Sequence, residues 1–168
     1  MIRILGIDPG LRQTGWGVVE AQGSALRGVA SGTIKVAADG QDLPQRLAEL
    51  EEALHRVLRD FDPDAVAVEE TFSNQNANST LKLGMARGVA LLVPARLGLP
   101  VRQYAATLVK KSLVGAGRAD KNQIQMMVRT LLPNMAPDSA DAADALAVAI
   151  CHAHHREIGK IEQQGVLT

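Results

Sequence analysis

The chain is poor in aromatic residues and in cysteine. Only Trp16, Phe61, Phe72 and Tyr104 are aromatic among 168 residues, so a core must come from Ala, Val, Leu and Ile. The 46% hydrophobic content is enough for one, and the length suits one domain; domains near 150 residues bury about 70% of their unfolded surface. Cys151 stands alone, which excludes an internal disulfide framework and suits a reducing cytoplasm. The opening MIRILGIDPG lacks a charged segment followed by an apolar stretch and a cleavage site, so no signal peptide is expected. The longest apolar run, residues 88–95, contains Pro94 and falls far short of the ~20 residues of a membrane span. No membrane association is expected. Asn78-Ser79-Thr80 has the form of a glycosylation acceptor, but without a secretion signal it reads as chance.

Net charge is zero, which on its face argues against a polyanionic partner. The distribution argues the other way. Residues 82–129 carry nine cations (Lys82, Arg87, Arg96, Arg102, Lys110, Lys111, Arg118, Lys121, Arg129) against one acid, Asp120. Residues 39–70 carry ten acids against three arginines. Such segregation can set a positive surface against a polyanion, although ordinary scatter over a solvated surface is the plain alternative.

No repeat or low-complexity linker divides the chain. Residues 2–7 form an apolar run closed by Asp8-Pro9-Gly10, which reads as a buried strand entering a turn. Residues 15–20 and a stretch within 26–36 suit two further strands in a meander. Leu47, Leu50, Leu54, Val57 and Leu58 repeat at helical spacing over residues 43–61. Residues 65–68 form a compact strand ending in Glu69-Glu70. A helix is expected from about Asn78 to about Leu97, a brief strand over 101–104, and helices over 105–113 and 121–132. Asp138 reads as the N-cap of a last helix running to about His155. Strands and helices in this order imply an α/β chain, a mixed sheet with helices packed on its faces.

Four carboxylates stand out. Asp8 and Glu69 lie at the ends of two strands which, as sheet neighbours about 4.8 Å apart, would aim them into one volume. Asp141 and Asp144 share a helix face at i, i+3 and complete the set if that helix crosses the same sheet edge. Hard oxygen donors suit Mg²⁺ or Mn²⁺. Two such ions about 3.5–4 Å apart would offset the mutual repulsion and serve phosphodiester hydrolysis. Each acid also has an ordinary reading: a turn residue at Asp8, a strand-end surface residue at Glu69, a helix-dipole partner at Asp141. Asp144 is harder to dismiss, because its small apolar neighbours in Ala142-Ala143-Asp144-Ala145-Leu146 suggest burial, and a buried carboxylate needs a partner.

The stretches ILGIDPGLRQTGWGVV, AVEETF, NSTLKLGMARGVA, VKKSLVGAGRADKNQIQMMVRTLL and SADAADALAVAICHAH closely resemble the RuvC family of bacterial Holliday-junction resolvases. The resemblance implies a ribonuclease-H-like fold with a five-stranded mixed sheet and helices on both faces. It implies a homodimer that uses Mg²⁺, two ions per site with Mn²⁺ able to substitute, to place paired symmetrical nicks in a four-way DNA junction. A branch-migration helicase complex is the implied partner, and recombination and repair the implied setting. By motif position, Asp8, Glu69, Asp141 and Asp144 fall on the family's catalytic, metal-holding carboxylates. Lys110 and Lys121 fall on its basic residues near the site, and Phe72 on the aromatic of its DNA-facing loop. Residues 1–157 are then a single nuclease domain, with 158–168 as a poorly ordered tail.

Around these residues the physical reading is less specific. An ammonium at Lys121, near a helix start, could meet the scissile phosphate, or Lys121 could be a solvated surface residue. Lys82, Arg87, Lys111 and Arg118 complete the cations expected to meet DNA. Phe72, in a loop of Ser and Asn, either packs back as core or stacks on a base. Gly84 and Gly88, interior to a helix, each cost about 1 kcal/mol against alanine, so a close contact with the sheet or with a second copy is expected. Cys151, His152, His154 and His155 suggest a metal cluster but lack further ligands, and read as a surface helix end. A non-catalytic junction-binding module and an actin-like phosphotransferase are the rival functions. The first would tolerate loss of the acids, and the second needs another lobe.

Overall fold

In the computed structural model the described residues are 1–36, 42–70, 77–115 and 117–165, with side chains described up to Arg156. The elements run β1 (Ile2–Asp8), β2 (Gln13–Gln22), β3 (Ala25–Lys35), α1 (Leu43–Phe61), β4 (Ala65–Glu70), α2 (Ala77–Arg96), β5 (Val101–Ala105), α3 (Ala106–Val114), α4 (Lys121–Leu131) and α5 (Ala140–Gly165). The five strands form one sheet in the order β3-β2-β1-β4-β5. The first three strands are an antiparallel meander, while β4 and β5 add parallel to β1. This is the mixed α/β sheet expected from the sequence.

Strand periodicity splits the core in two. Along β1 and β4, Leu5, Ile7, Val66 and Val68 face α1 and α2, where they meet Leu50, Leu54, Leu58, Ala90 and Val93. Ile4, Val19 and Ala67 face the other way, against Val109, Leu113, Ile124, Val128, Leu146 and Ile150 of α3, α4 and α5. Leu54 is wholly buried, and burial of such a side chain contributes roughly 1.5–3 kcal/mol. Both faces of the sheet are therefore covered, as α/β packing requires.

Helix ends follow local chemistry. Asp42 caps α1 by accepting from the Gln45 amide at 3.1 Å, and Asp62 ends it in the left-handed region at φ 43°. Gly115, at φ 78°, closes α3. Asp120 and Gln123 form a reciprocal capping box that starts α4 at Lys121.

The last helix departs from expectation at both ends. Ser139, not Asp138, sits at its N-terminus: the Ser139 hydroxyl accepts from the Ala142 amide at 3.1 Å and hydrogen-bonds the Thr33 hydroxyl at 2.7 Å. The shared hydroxyl ties α5 to β3, a link invisible to local sequence. At the other end the backbone stays helical to Gly165, past the expected end near His155.

Candidate active site

Asp8 is the last residue of β1, and Glu69 lies one residue from the end of β4. The parallel register pairs Ile7 with Val68, so one further step sets Asp8 beside Glu69 at the carboxyl edge of the sheet. Their side chains are hydrogen-bonded. A buried Thr14 holds the turn after Asp8: its hydroxyl donates to the Gly10 carbonyl at 2.7 Å and accepts from the Gly10 amide at 3.1 Å. The sequence reading missed Thr14.

Helix α5 brings the second pair. Its first turns lie directly on the backbone of β1 and β2, because Gly6 and Gly15 leave no side chain between them. A methyl group at Gly6 would overlap the Ala145 carbonyl, and one at Gly15 the Asp141 carbonyl. Asp141 and Asp144 are thereby carried over the edge where β1 ends. All four carboxylates are half-buried, enough to be poorly solvated and still reachable.

Electrostatics shows that the four act on one another. Burial first, then the charges of Glu69 and Asp144, push Asp8 up to about 8; a hydrogen bond to Glu69 and the charge of Asp141 add to the rise. In that bond Asp8 is the donor and Glu69 the acceptor. Burial also raises Glu69, against the Asp8 hydrogen bond and against the charges of Lys110 and Lys121, which pull it down. Burial raises Asp144 too; Lys121 and Lys110 again oppose the shift and Asp141 reinforces it.

The two lysines are thus placed beside the acids by α3 and by the start of α4. Among the described cations, only these two figure in the shifts of the acids. Lys82 and Arg87 are half-buried on α2, whereas Lys111 on α3 and Arg118 before α4 are exposed. Phe72 lies outside the described residues.

Among the described residues no group of three or more His, Cys, Asp or Glu side chains is gathered tightly enough to count as a ready-made metal cage. The chemistry of the four acids fits hard divalent ions: all donors are oxygen, none is paired with an arginine among the described residues, and the raised pKa values of Asp8, Glu69 and Asp144 report ionised forms that a nearby cation would stabilise.

The Cys151–His155 segment is not a surface helix end. Cys151 and His152 are buried against the sheet, and burial raises the thiol to about 11. His152 Nδ1 hydrogen-bonds the Tyr104 hydroxyl at 2.8 Å, and His154 Nδ1 the Ser112 hydroxyl at 3.2 Å. The α2 glycines also differ from one alternative expected of them: Gly84 and Gly88 are exposed with nothing among the described residues within 4 Å of an added Cβ, so the described sheet does not cover them.

Residues 4–152 match the family described as crossover junction endodeoxyribonuclease RuvC. Curated relatives of that name are 62% identical in Paramagnetospirillum magneticum, over 92% of this chain and 93% of the relative, and 60% identical in Rhodopseudomonas palustris, over 92% and 88%. The solved structure of Thermus thermophilus RuvC in complex with a Holliday junction substrate superposes with a TM-score of 0.87 at 34% identity, covering 95% of this chain and 97% of that one. A yeast mitochondrial Holliday junction resolvase shares the fold at a TM-score of 0.67 and 15% identity, over 94% of this chain and 80% of that one. The chain belongs to the RuvC family of crossover junction endodeoxyribonucleases.

Proposed function

We propose that this chain resolves four-way DNA junctions, as a homodimer, by hydrolysing one phosphodiester bond in each of two opposed strands during recombination and repair. The observation that carries the reading is the meeting of Asp8, Glu69, Asp141 and Asp144 at one sheet edge, with Lys110 and Lys121 acting on them.

Those four carboxylates would hold the metal, Mg²⁺ with Mn²⁺ as a substitute, two ions to a site. Bound there, divalent ions supply positive charge and a water acidic enough to attack near neutral pH. In the reaction the water oxygen bonds to phosphorus as the bond to the 3′ oxygen breaks, leaving a 5′-phosphate and a 3′-hydroxyl. Lys121, on the first turn of α4, and Lys110 draw the phosphate in and stabilise charge as it develops on its oxygens. Half-burial of the acids keeps water sparse around that charge, which strengthens every such interaction.

Phe72, two residues past the end of β4 in the sequence, stacks on a base at the crossover. Lys82, Arg87, Lys111 and Arg118 hold backbone phosphates away from the cut. The exposed apolar face of α2, with Leu81, Met85 and Leu92 beside Gly84 and Gly88, is the surface for the second copy. A two-fold dimer sets two sites on opposed strands of a nearly two-fold substrate. Residues 1–157 are one nuclease unit. Among the described residues no helix is long and apolar enough to cross a membrane, and the enzyme works in the cytoplasm beside a branch-migration helicase complex.

The test is cleavage of a synthetic four-way junction beside a linear duplex, with and without Mg²⁺. Paired nicks in the junction alone, only with the metal, are expected; equal cutting of both substrates, or metal-independent cutting, contradicts the reading.

A further inference from the structure

At the end of the sheet opposite the carboxylates, a cleft of about 700 Å³ opens between the starts of β1, β4 and β5 and the later turns of α5. Its walls include Asp64, Arg102, Tyr104, His152, His155 and Arg156. Ile2 is six residues from Asp8 along β1, about 20 Å, and Arg156 is twelve residues from Asp144 along α5, about 18 Å. Tyr104 pairs with Glu69 across β4 and β5, so the cleft approaches the acids at that one residue, while its two arginines, Arg102 opposite Ala67 and Arg156 late in α5, lie further toward the other end of the sheet.

Its floor is polar but uncharged. Tyr104 and His152 are buried, and the Tyr104 hydroxyl and His152 Nδ1 share the 2.8 Å hydrogen bond. Burial, then the charges of Arg156 and Arg102 and of His155, hold His152 down at about 4, so its ring is neutral. Burial holds the Tyr104 hydroxyl up at about 12.

The charge of the cleft comes from its rim. Arg102, on β5, and Arg156, on α5, are both exposed, and both lie close enough to act on the same buried histidine. Neither has a carboxylate partner among the described residues. The acid in the wall, Asp64, accepts the Arg3 backbone amide at 2.7 Å with one oxygen and keeps its charge, so the cleft sets two guanidinium charges against one carboxylate.

We propose that this cleft is a second, non-catalytic site that takes a dianionic phosphate, in particular the phosphate-monoester end of a small molecule. Two guanidinium forks from different elements offer more donors and charge than one carboxylate can use. A terminal phosphate presents three oxygens and nearly two charges to the same forks, whereas a diester in DNA presents one charge. The volume falls in the range of small-ligand sites, roughly 300–1,000 Å³.

Calorimetry on the full chain in EDTA, which keeps metal away from the carboxylates, tests this with adenosine monophosphate, adenosine, inorganic phosphate and glutarate. Adenosine monophosphate should bind, adenosine should not, and the Arg102→Gln/Arg156→Gln double variant should lose about ten-fold or more in affinity. The same variant should cut a four-way junction at the wild-type rate, which shows that it is folded and that the cleft is separate from the nuclease site. Tighter binding of the nucleotide than of inorganic phosphate assigns the monoester; equal binding assigns phosphate itself, and both support a dianionic phosphate site. No binding of either phosphate, glutarate binding as tightly, or a double variant that binds like wild type overturns the proposal.

Discussion

Gly15 stands directly across from Asp8 in the antiparallel pairing of β1 and β2, and the Asp141 carbonyl lies so close above it that a methyl group there would overlap that oxygen. One glycine therefore sets the distance between the strand that ends in Asp8 and the helix that carries Asp141 and Asp144. Gly6 does the same one turn further along α5, under Ala145.

Gly15→Ala should therefore lift the start of α5. Overpacking of this kind costs about 1–3 kcal/mol in stability, and displacing catalytic groups by about 1 Å costs on the order of a hundred-fold in rate. Thermal melts and junction-cleavage rates check both. A variant as active and stable as wild type would mean that α5 does not rest on this glycine.

The metal-free protein should lose stability as pH rises. Asp8 ionises near 3.8 in the unfolded chain and near 8 in the folded one, so between these values the folded state holds a proton that the unfolded state has lost. Stability supplied by that proton is complete below the unfolded value and drains away as pH climbs toward the folded one. Divalent ions need the ionised carboxylates, so the rise in Tm on adding Mg²⁺ should be larger at about pH 8 than at about pH 6. Asp8→Asn should flatten the metal-free decline. Melting curves against pH decide it, and a decline of the same slope in Asp8→Asn would assign the effect elsewhere.

Lys121→Ala and Lys110→Ala should each slow cleavage, by about a hundred-fold if the ammonium meets developing charge. Binding should lose about one unit of salt slope for each phosphate contact removed. Because both lysines pull Glu69 and Asp144 down, their loss should also move the pH profile of cleavage upward. An unchanged profile would place them outside the site. Lys111→Ala, on an exposed position of α3, should weaken binding without that pH signature.

Gly88→Leu tests the α2 face. Among the described residues nothing lies within 4 Å of an added Cβ, so the monomer should fold normally. If a second copy packs there, the larger side chain should shift the protein toward monomer in sedimentation. A dimer of unchanged strength would move the interface to another face.

Much of this arrangement was readable in the residues. The apolar spacing of Leu47, Leu50, Leu54 and Leu58 marks α1, which spans Leu43–Phe61 in the structure as expected. Strand ends at Asp8 and Glu69 were visible because apolar runs stop at Pro9 and at Glu69-Glu70. Adjacency of those strands was a premise, and the β1–β4 register supplies it. What could not be read was tertiary. Ser139 takes the helix start from Asp138 because its hydroxyl also reaches Thr33, 106 residues away. Cys151 and His152 looked like a surface end, since nothing local shows that α5 still covers the sheet at that point. The glycines of β2 signalled a close approach only in retrospect, once α5 lay on them. Phe72 falls outside the described residues, and its stacking role rests on the family motif alone.

The most direct test of the central claim compares the amide variants Asp8→Asn, Glu69→Gln, Asp141→Asn and Asp144→Asn on a synthetic four-way junction with Mg²⁺. Each should cut at least about a hundred times more slowly than wild type, while junction binding persists or tightens because negative charge beside the phosphate has been removed. Wild-type cleavage by all four would contradict the account, whatever their binding.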